Sequence, residues 1–455
     1  MTCTSGLTFA RNRRIRGRRR PQTAAADRDY STAACITPGT GSALAPLRHR
    51  AFRLLWAGQS VSAIGDRLAI VALVLLVAQT THAAADVGLV VGLQGLALVV
   101  GLPLGGVIAD RLPRHRLMLA ADLMRFVLQG TLAALIFAGS LRLWEIVAIV
   151  VAYGLAQAAF QPSYSGLIPQ TVDEADIQQA TALTQGSRYA AIVLGPALAA
   201  LVATRLNIGV AFAIDALTFL CSAALLCAVR PRRRGPETSS EGVVADLLAG
   251  LRAVRQRRWV WMTIAAFSII VMVAAAPYTV LGPFIVTHAY GSAAVFALIT
   301  AAIGAGTLCG AVLAMRWRPR RRLRTGLLAA TSSPALLISL ALGSPLALVT
   351  LIAVIAGAGL ALFAVWWEAT LAEAIPPHLL SRVAALDWMG SLALLPFAYL
   401  ATGALAPILG SRETLLLAAF LGLAALAAAA TAMRTPGSAP EERATAGALP
   451  SSVAS

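Results

Sequence analysis

The chain contains no lysine; all 37 of its basic residues are arginine. Arginine and lysine serve equally well as topology signals, so this absence reflects the codon bias of a GC-rich genome. Charge of any kind is scarce. Only 13% of the 455 residues are charged, against about 25% in soluble domains, which excludes a soluble globular protein. A disordered chain would need low hydrophobicity with high charge, and 58% of these residues are apolar. The five cysteines (Cys3, Cys35, Cys221, Cys227, Cys309) form no CxxC pair and have no histidine at metal-ligand spacing. They are expected to be packing or tail residues. All five histidines fall in tails or loops, so no buried cluster exists for a metal or a histidine proton relay. No GxxxxGK[ST] loop occurs, which excludes nucleotide hydrolysis at a P-loop. The basic run RNRRIRGRRR at 11–20 is followed by a polar, Pro/Gly-containing stretch, where a secretory signal would need an apolar one.

What is present is grease, with a mean hydropathy of +0.76, and a net charge of +17 confined to a few places. Residues 1–50 net +8, residues 230–258 net +5 and residues 316–324 net +6, leaving −2 for the rest. A net of +17 suggests nucleic acid until it is sorted by position. Sorted, it has the layout of a polytopic membrane protein obeying the positive-inside bias, with the basic runs beside the spans as topology signals and anionic-lipid contacts. No nucleic-acid partner is expected.

A spanning helix needs about 20 mostly apolar residues. Twelve such stretches are predicted, near 54–78, 87–109, 117–139, 144–165, 179–203, 208–229, 260–286, 293–315, 325–343, 346–373, 383–408 and 413–433. With the basic tail inside, the outer loops hold only Arg142, Arg205 and Arg412, and both termini are cytoplasmic. The predicted fold class is an all-α membrane protein of two pseudo-symmetric six-helix bundles, 50–230 and 259–433. A linker at 231–258 carries an amphipathic, surface-lying helix over 242–258. Disordered cytoplasmic tails span 1–49 and 434–455. An internal repeat supports the duplication. FQPSYSGLIP (160–169) aligns with WEATLAEAIP (367–376), pairing Phe160 with Trp367 and Gln161 with Glu368 at an offset of 207 residues. Transporters built from parallel repeats place the substrate at the repeat interface.

Ionisable groups inside a span cost about 2.5–3.5 kcal/mol on insertion scales and usually face a cavity. Asp66 lies mid-span on a stripe with Gln59 and Ser62, its neighbour Arg67 pointing about 100° away on an ideal helix. It is a candidate proton- or substrate-binding carboxylate, or else an acid solvated by a vestibule. Glu368, beside Trp366 and Trp367, is a second candidate, although adjacent tryptophans equally suit an interfacial belt. Tyr153, Gln157, Phe160, Gln161 and Tyr164 form a stripe of aromatics and amides suited to a large amphiphile, or to ordinary packing. Arg188, Asp215 and Asp387 are expected to be interfacial or structural. Asp122 and Arg125 share a face at i,i+3, with Asp122 a candidate partner for Arg114 or Arg111.

The loop at 106–116, GVIADRLPRHR, turns sharply at the membrane surface. With WAGQSVSAIGDRLAIVALVLL (56–76), AAFQPSYSGLIPQTV (158–172), AFAIDALTFLCSAALL (211–226) and WWEATLAEAIPPHLLSRVAAL (366–386), it resembles the major facilitator superfamily. The resemblance covers about residues 50–433 and points to the branch of macrolide-efflux proteins and the enterobactin exporter. It implies a latch between the halves formed by Gly106, Asp110, Arg111 and Arg114, to which Asp122 and Arg125 are added. Pro113 replaces the usual second glycine. The equivalent stretch 311–322 has Met315 in place of the acid, so the latch is one-sided. Gly195-Pro196 resembles the antiporter motif, with Ala199 and Ala200 for its trailing glycines.

The resemblance implies secondary active export of an amphiphilic drug, siderophore or secondary metabolite by proton antiport. The expected protein is monomeric, lies in the cell membrane and needs no cofactor or metal. Proton-coupled uptake on the same fold is the alternative. A membrane enzyme would need an interfacial constellation of catalytic groups, and none is visible.

Overall fold

A backbone that crosses lipid must satisfy its own hydrogen bonds, and an apolar run of this length does so as a helix. The structure, a computed structural model, describes residues 44–232, 255, 258–317, 319–375 and 377–432. Residues 1–43 and 434–455 of the expected tails, most of the amphipathic linker helix expected over 242–258 and the side chains of Asp110 and Asp387 lie outside the described residues. The last residues of the expected N-terminal tail are described and ordered: Ala45–Arg48 form a 3-10 turn, and Arg48 pairs with Asp176 at 2.8 Å. Thirteen α-helices follow in the described residues. They are α1 (Arg50–Thr81), α2 (Ala84–Arg111), α3 (Arg114–Ala138), α4 (Leu143–Leu167), α5 (Ile177–Arg205), α6 (Gly209–Cys227), α7 (Arg258–Tyr290), α8 (Ala294–Arg316), α9 (Arg322–Ala330), α10 (Ser332–Ala341), α11 (Leu346–Ala374), α12 (Pro377–Leu409) and α13 (Ser411–Ala432). The short helices α9 and α10 are two parts of one span, Arg322–Ala341, interrupted at Thr331.

Among the described residues, eleven helices are long and apolar enough to cross a membrane. The stretch expected at 383–408 falls in α12, where the described apolar segment is the shorter Ala393–Leu409. The spans turn on tight caps. Gly139 (φ 65°) ends α3 and Gly343 (φ 64°) follows α10, each in the left-handed region that glycine tolerates. Each is followed by a serine whose N–H bonds back across the cap, Ser140 to Leu135 and Ser344 to Ser339. Cys221, Cys227 and Cys309 are exposed on helix surfaces rather than packed inside.

The helices pair in the same pattern twice. In the first set α2 packs on α4, α3 on α4 and α6, and α1 on α5 and α6. In the second, α8 packs on α11, the α9–α10 span on α11 and α13, and α7 on α12 and α13. The tightest pair in each set uses glycine. A Cβ on Gly105 would lie 2.3 Å from the Ala158 carbonyl oxygen, and one on Gly310 would lie 2.4 Å from that of Ala358. The sets meet where α2 packs on α12 and α5 on α8.

The cores differ between the two faces. On the face holding the ends of α1, α3, α5 and α7, one apolar cluster runs through both sets, from Leu73 and Phe212 to Leu281 and Phe296. On the arginine-rich face the sets keep separate cores. One holds Phe52, Met118, Phe160 and Leu226; the other holds Val260, Phe363, Trp367 and Leu426. The aligned pair Phe160 and Trp367 thus occupies corresponding cores.

Glycine-to-alanine changes in neighbouring positions of α2 test this packing. Alanine is favoured in a helix by about 1 kcal/mol, and nothing lies within 4 Å of a Cβ on Gly106. Gly106→Ala is expected to hold or raise the melting temperature of the purified protein. Gly105→Ala is expected to lower it, since overpacking costs about 1–3 kcal/mol. Equal shifts in both variants would contradict the packing.

Candidate functional site

The first set of helices carries a buried polar cluster centred on Arg125 of α3. This guanidinium is 1% exposed. It lies between two aromatic faces, 4.2 Å from the Phe160 ring centroid and 4.3 Å from that of Phe219, in cation–π geometry. One Nη donates to Asp122, one turn back on the same helix. The other lies 4.0 Å from an oxygen of Asp66 on α1. Asp122, 0% exposed, also accepts from Ser222 at 2.7 Å, and Ser222 accepts from Gln59 at 2.7 Å. Asp66 accepts from the Tyr153 hydroxyl on α4. Its side chain is 30% exposed, so of these carboxylates it is the one open to the cavity described below.

A third carboxylate lies behind Asp66. Asp215 of α6 is fully buried and accepts from the Gln129 amide at 2.6 Å and from Thr218 at 3.4 Å. Gly65 makes this possible, since its Cβ would fall 2.4 Å from an Asp215 oxygen. Of the two expectations for Asp215, interfacial or structural, its burial and hydrogen bonds fit the structural one. Arg125, Gln129, Asp215 and Ser222 carry no weight as single polar residues. The signal lay in their spacing: Asp122, Arg125 and Gln129 at i, i+3, i+7 on α3, and Asp215, Thr218 and Ser222 at i, i+3, i+7 on α6, each one face of an apolar helix.

Asp66 opens into a cavity of about 220 Å³ walled by α1, α2, α4 and α5. The predicted stripe lines it: Gln59, Tyr153, Gln157, Phe160, Gln161 and Tyr164. Tyr164 stacks on Phe160 with centroids 5.8 Å apart. Arg67 and Arg188 also line the cavity. Arg67 lies where α5 crosses α1. A Cβ on Gly195 would fall 2.3 Å from the Arg67 Cβ, and Pro196 follows, buried within α5.

The other predicted residues are dispersed. Glu368 is exposed on α11, close enough to Tyr189 of α5 to act on it electrostatically. Trp367, 3% exposed, belongs to the second set's inner core, and Trp366 donates its indole N–H to Ala314 at 3.4 Å. Trp367 is thus a core residue, corresponding to Phe160.

Of the latch, Gly106 has open space around it, and Arg111 is exposed. The Arg114 guanidinium covers Gly166 at the end of α4, where a Cβ would collide with it. Asp122 and Arg125 do not belong to this latch. Among the described residues Asp122 is held by Arg125 and Ser222, not by the loop arginines, because about two turns of α3 at 3.6 residues per turn separate it from the loop.

The family model described as Major Facilitator Superfamily matches residues 55–393. Macrolide efflux protein A of Streptococcus pyogenes is 24% identical over 209 residues, 46% of this chain and 52% of that protein. The enterobactin exporter EntS of Shigella boydii is 28% identical over 316 residues, 66% of this chain and 69% of that protein. The match thus spans about half the length of the macrolide efflux protein. The nucleoside transporter NupG superposes with a TM-score of 0.66 at 11% identity, covering 84% of this chain and 99% of that one. A D-xylose–proton symporter superposes with a TM-score of 0.65 at 16% identity, covering 86% and 96%. At these identities the structures show the fold alone.

Breaking a buried ion pair by removing one partner costs about 3–5 kcal/mol. Asp122→Ala is therefore expected to lower the melting temperature strongly, by stranding Arg125. Asp66→Asn, half-buried and still able to accept from Tyr153, is expected to change stability by less than about 1 kcal/mol. Thermal melts of the two purified variants compare them directly, and an equal loss would remove Asp122 from its place as the structural partner.

Proposed function

The chain belongs to the Major Facilitator Superfamily and is a multi-pass membrane transporter; on that premise we propose that it exports an amphiphilic small molecule in exchange for protons. The observation that carries this reading is the position of Asp66. It is a half-buried carboxylate on the cavity wall, touching Tyr153 and within reach of an arginine that a second carboxylate also claims. Three carboxylates around one guanidinium cannot all ionise cheaply, since each unpaired buried ion costs several kcal/mol. A proton arriving on Asp66 hands Arg125 wholly to Asp122. A proton leaving it lets Arg125 be shared again. The two states hold α1 and α3 differently, and a ligand that prefers one of them is coupled to the proton.

Export is the direction favoured by the names of the relatives, a macrolide efflux protein and an enterobactin exporter, and by the Gly195-Pro196 pair. The full proposed architecture is twelve spans in two six-helix bundles, 50–230 and 259–433, joined by a linker. Both termini are cytoplasmic, in a monomer of the cell membrane among anionic lipids. With the arginine-rich face inside, a shared outer core and separate inner cores support an inward-facing state. The cavity, with its amides, tyrosines and aromatic faces, suits a molecule with an apolar body and few polar anchors. Glu368 on the facing set is a secondary candidate for the coupling route, and Asp110 with Arg111 and Arg114 for the latch.

Inside-out vesicles energised to an acidic lumen test both coupling and direction, with radiolabelled erythromycin and a panel of amphiphilic dyes. Antiport export predicts substrate accumulation in the lumen together with lumenal alkalinisation. Substrate-driven movement in the same direction as protons would replace it with symport. Asp66→Asn is expected to reduce gradient-driven transport to background at normal expression, and Asp110→Asn to do the same through the latch. Full transport in both variants would sink the assignment.

A further inference from the structure

A second concavity lies beside the cavity, and its character is different. It is a groove of about 470 Å³ along α5, walled by Trp56, Ala182, Leu183, Gly186, Ser187 and Ala190, with Gln179 at its end. These α5 positions recur at helical spacing and form one continuous strip, about 16 Å long at 1.5 Å per residue. Small side chains make the floor, and at Gly186 nothing lies within 4 Å of where a Cβ would stand. Trp56 closes one side, its indole N–H donating to the Leu183 carbonyl at 3.3 Å. Ser187 belongs to both linings, and Ser60 of the cavity wall donates to it at 2.9 Å. The groove and the cavity therefore meet at the Ser60–Ser187 pair. On one side are Asp66, arginines, amides and tyrosines; on the other are alanine, glycine, leucine and an indole. At the far end of the groove the Gln179 side-chain oxygen is buried without a hydrogen-bond partner.

We infer that this groove is the second half of the substrate site, taking the apolar tail of an amphiphile whose polar head sits in the cavity beside Asp66. The inference rests on the export reading for the identity of the cavity and adds the shape of the ligand: a polar head joined to an extended apolar tail. It also gives the tail a path. The groove follows α5, the helix that packs on α8 of the other set, from the level of the cavity to the arginine-rich face, where the two cores part. A tail can slide along that strip while the head passes the two serines, whose hydroxyls exchange one hydrogen bond for another at little cost. Gln179 offers an acceptor to the donor of a passing head group.

The test uses the full chain in lipid nanodiscs and two nitrobenzoxadiazole-labelled amines, one with a butyl tail and one with a decyl tail ending in a photoreactive diazirine. Signal from empty discs is subtracted. The expected result is diazirine labelling of residues 179–190 that excess unlabelled decyl probe removes. In Gly186→Leu that labelling is expected to fall at least fivefold, with at least a fivefold weaker decyl affinity and an unchanged butyl affinity. Gly186→Leu enters open space and favours the helix. Ala182→Leu, on the same exposed wall, is the second variant and is expected to act in the same way. Labelling spread evenly over the lipid-facing helices, or equal labelling in the wild type and both variants, overturns the groove. The vesicle assay separates the two readings. A decyl probe moved by the proton gradient but indifferent to both variants leaves export standing and removes the groove. A probe held at 179–190 but never moved by protons does the reverse.

Discussion

The first set of helices is organised around one buried guanidinium. Arg125 cannot lose its charge, and it sits where almost no water reaches it. Every neighbour must therefore serve it. Asp122 supplies the paired charge, Phe160 and Phe219 supply ring faces, and Asp66 supplies a second, looser charge at 4.0 Å. These groups come from α1, α3, α4 and α6, so one side chain ties four helices together. The pair Asp122–Arg125 is local and tight, and it survives whatever Asp66 does. Asp66 is the replaceable partner, and it is the one that meets the cavity. A tight pair and a looser contact at 4.0 Å thus share a single cation.

The helix pairing is duplicated, but the chemistry is not. The α2–α4 and α8–α11 pairs close on each other through glycines set against facing carbonyls, Gly105 on Ala158 and Gly310 on Ala358. The caps after Gly139 and Gly343 repeat as well. Among the described residues, the ion pairs inside the bundle all belong to the first set. In the second set the described pair, Arg322 with Glu373, lies at the helix ends. Phe160 packs against Arg125, while its counterpart Trp367 packs among apolar side chains. The packing geometry is thus repeated, while the buried ion pairs of Arg125 belong to the first set.

This asymmetry explains what could be read from the sequence. Spans were legible because apolar length is a local property, and eleven of the twelve expected stretches appear as full-length apolar helices. The cavity stripe on α4 was legible because its polar residues repeat on one helix face. Asp66 was legible because a lone acid in an apolar run stands out. The cluster around it was not, since its members lie on four helices and each looks incidental alone. For Asp215 the sequence left interfacial and structural roles open, and the close approach permitted by Gly65 shows that it is buried. Trp367 shows what adjacency in sequence leaves open: it lies in an apolar core while Glu368 is exposed, since successive residues on a helix point about 100° apart.

The seams between the two sets bear on how such a molecule can move. Where α2 meets α12, Gly88 faces the Tyr399 carbonyl, Gly92 faces Leu400 and Gly95 faces Pro396. Where α5 meets α8, Gly304 faces the Ile192 carbonyl. Interdigitated side chains would lock a register, because each must leave its hole before the helices can shift. Gly88 and Gly304 set glycine against a facing carbonyl, a smoother surface at the same close spacing, while Gly92 and Gly95 receive the Leu400 and Pro396 side chains without offering one of their own. Contact can then be kept while one set rocks against the other, which is the motion alternating access requires. The glycine seams bring the two sets close together, and the shared core on one face holds them there. Each element is ordinary packing physics; on the export reading proposed above, coupling rests on the carboxylate of Asp66 at the cavity on α1, against which α5 also packs.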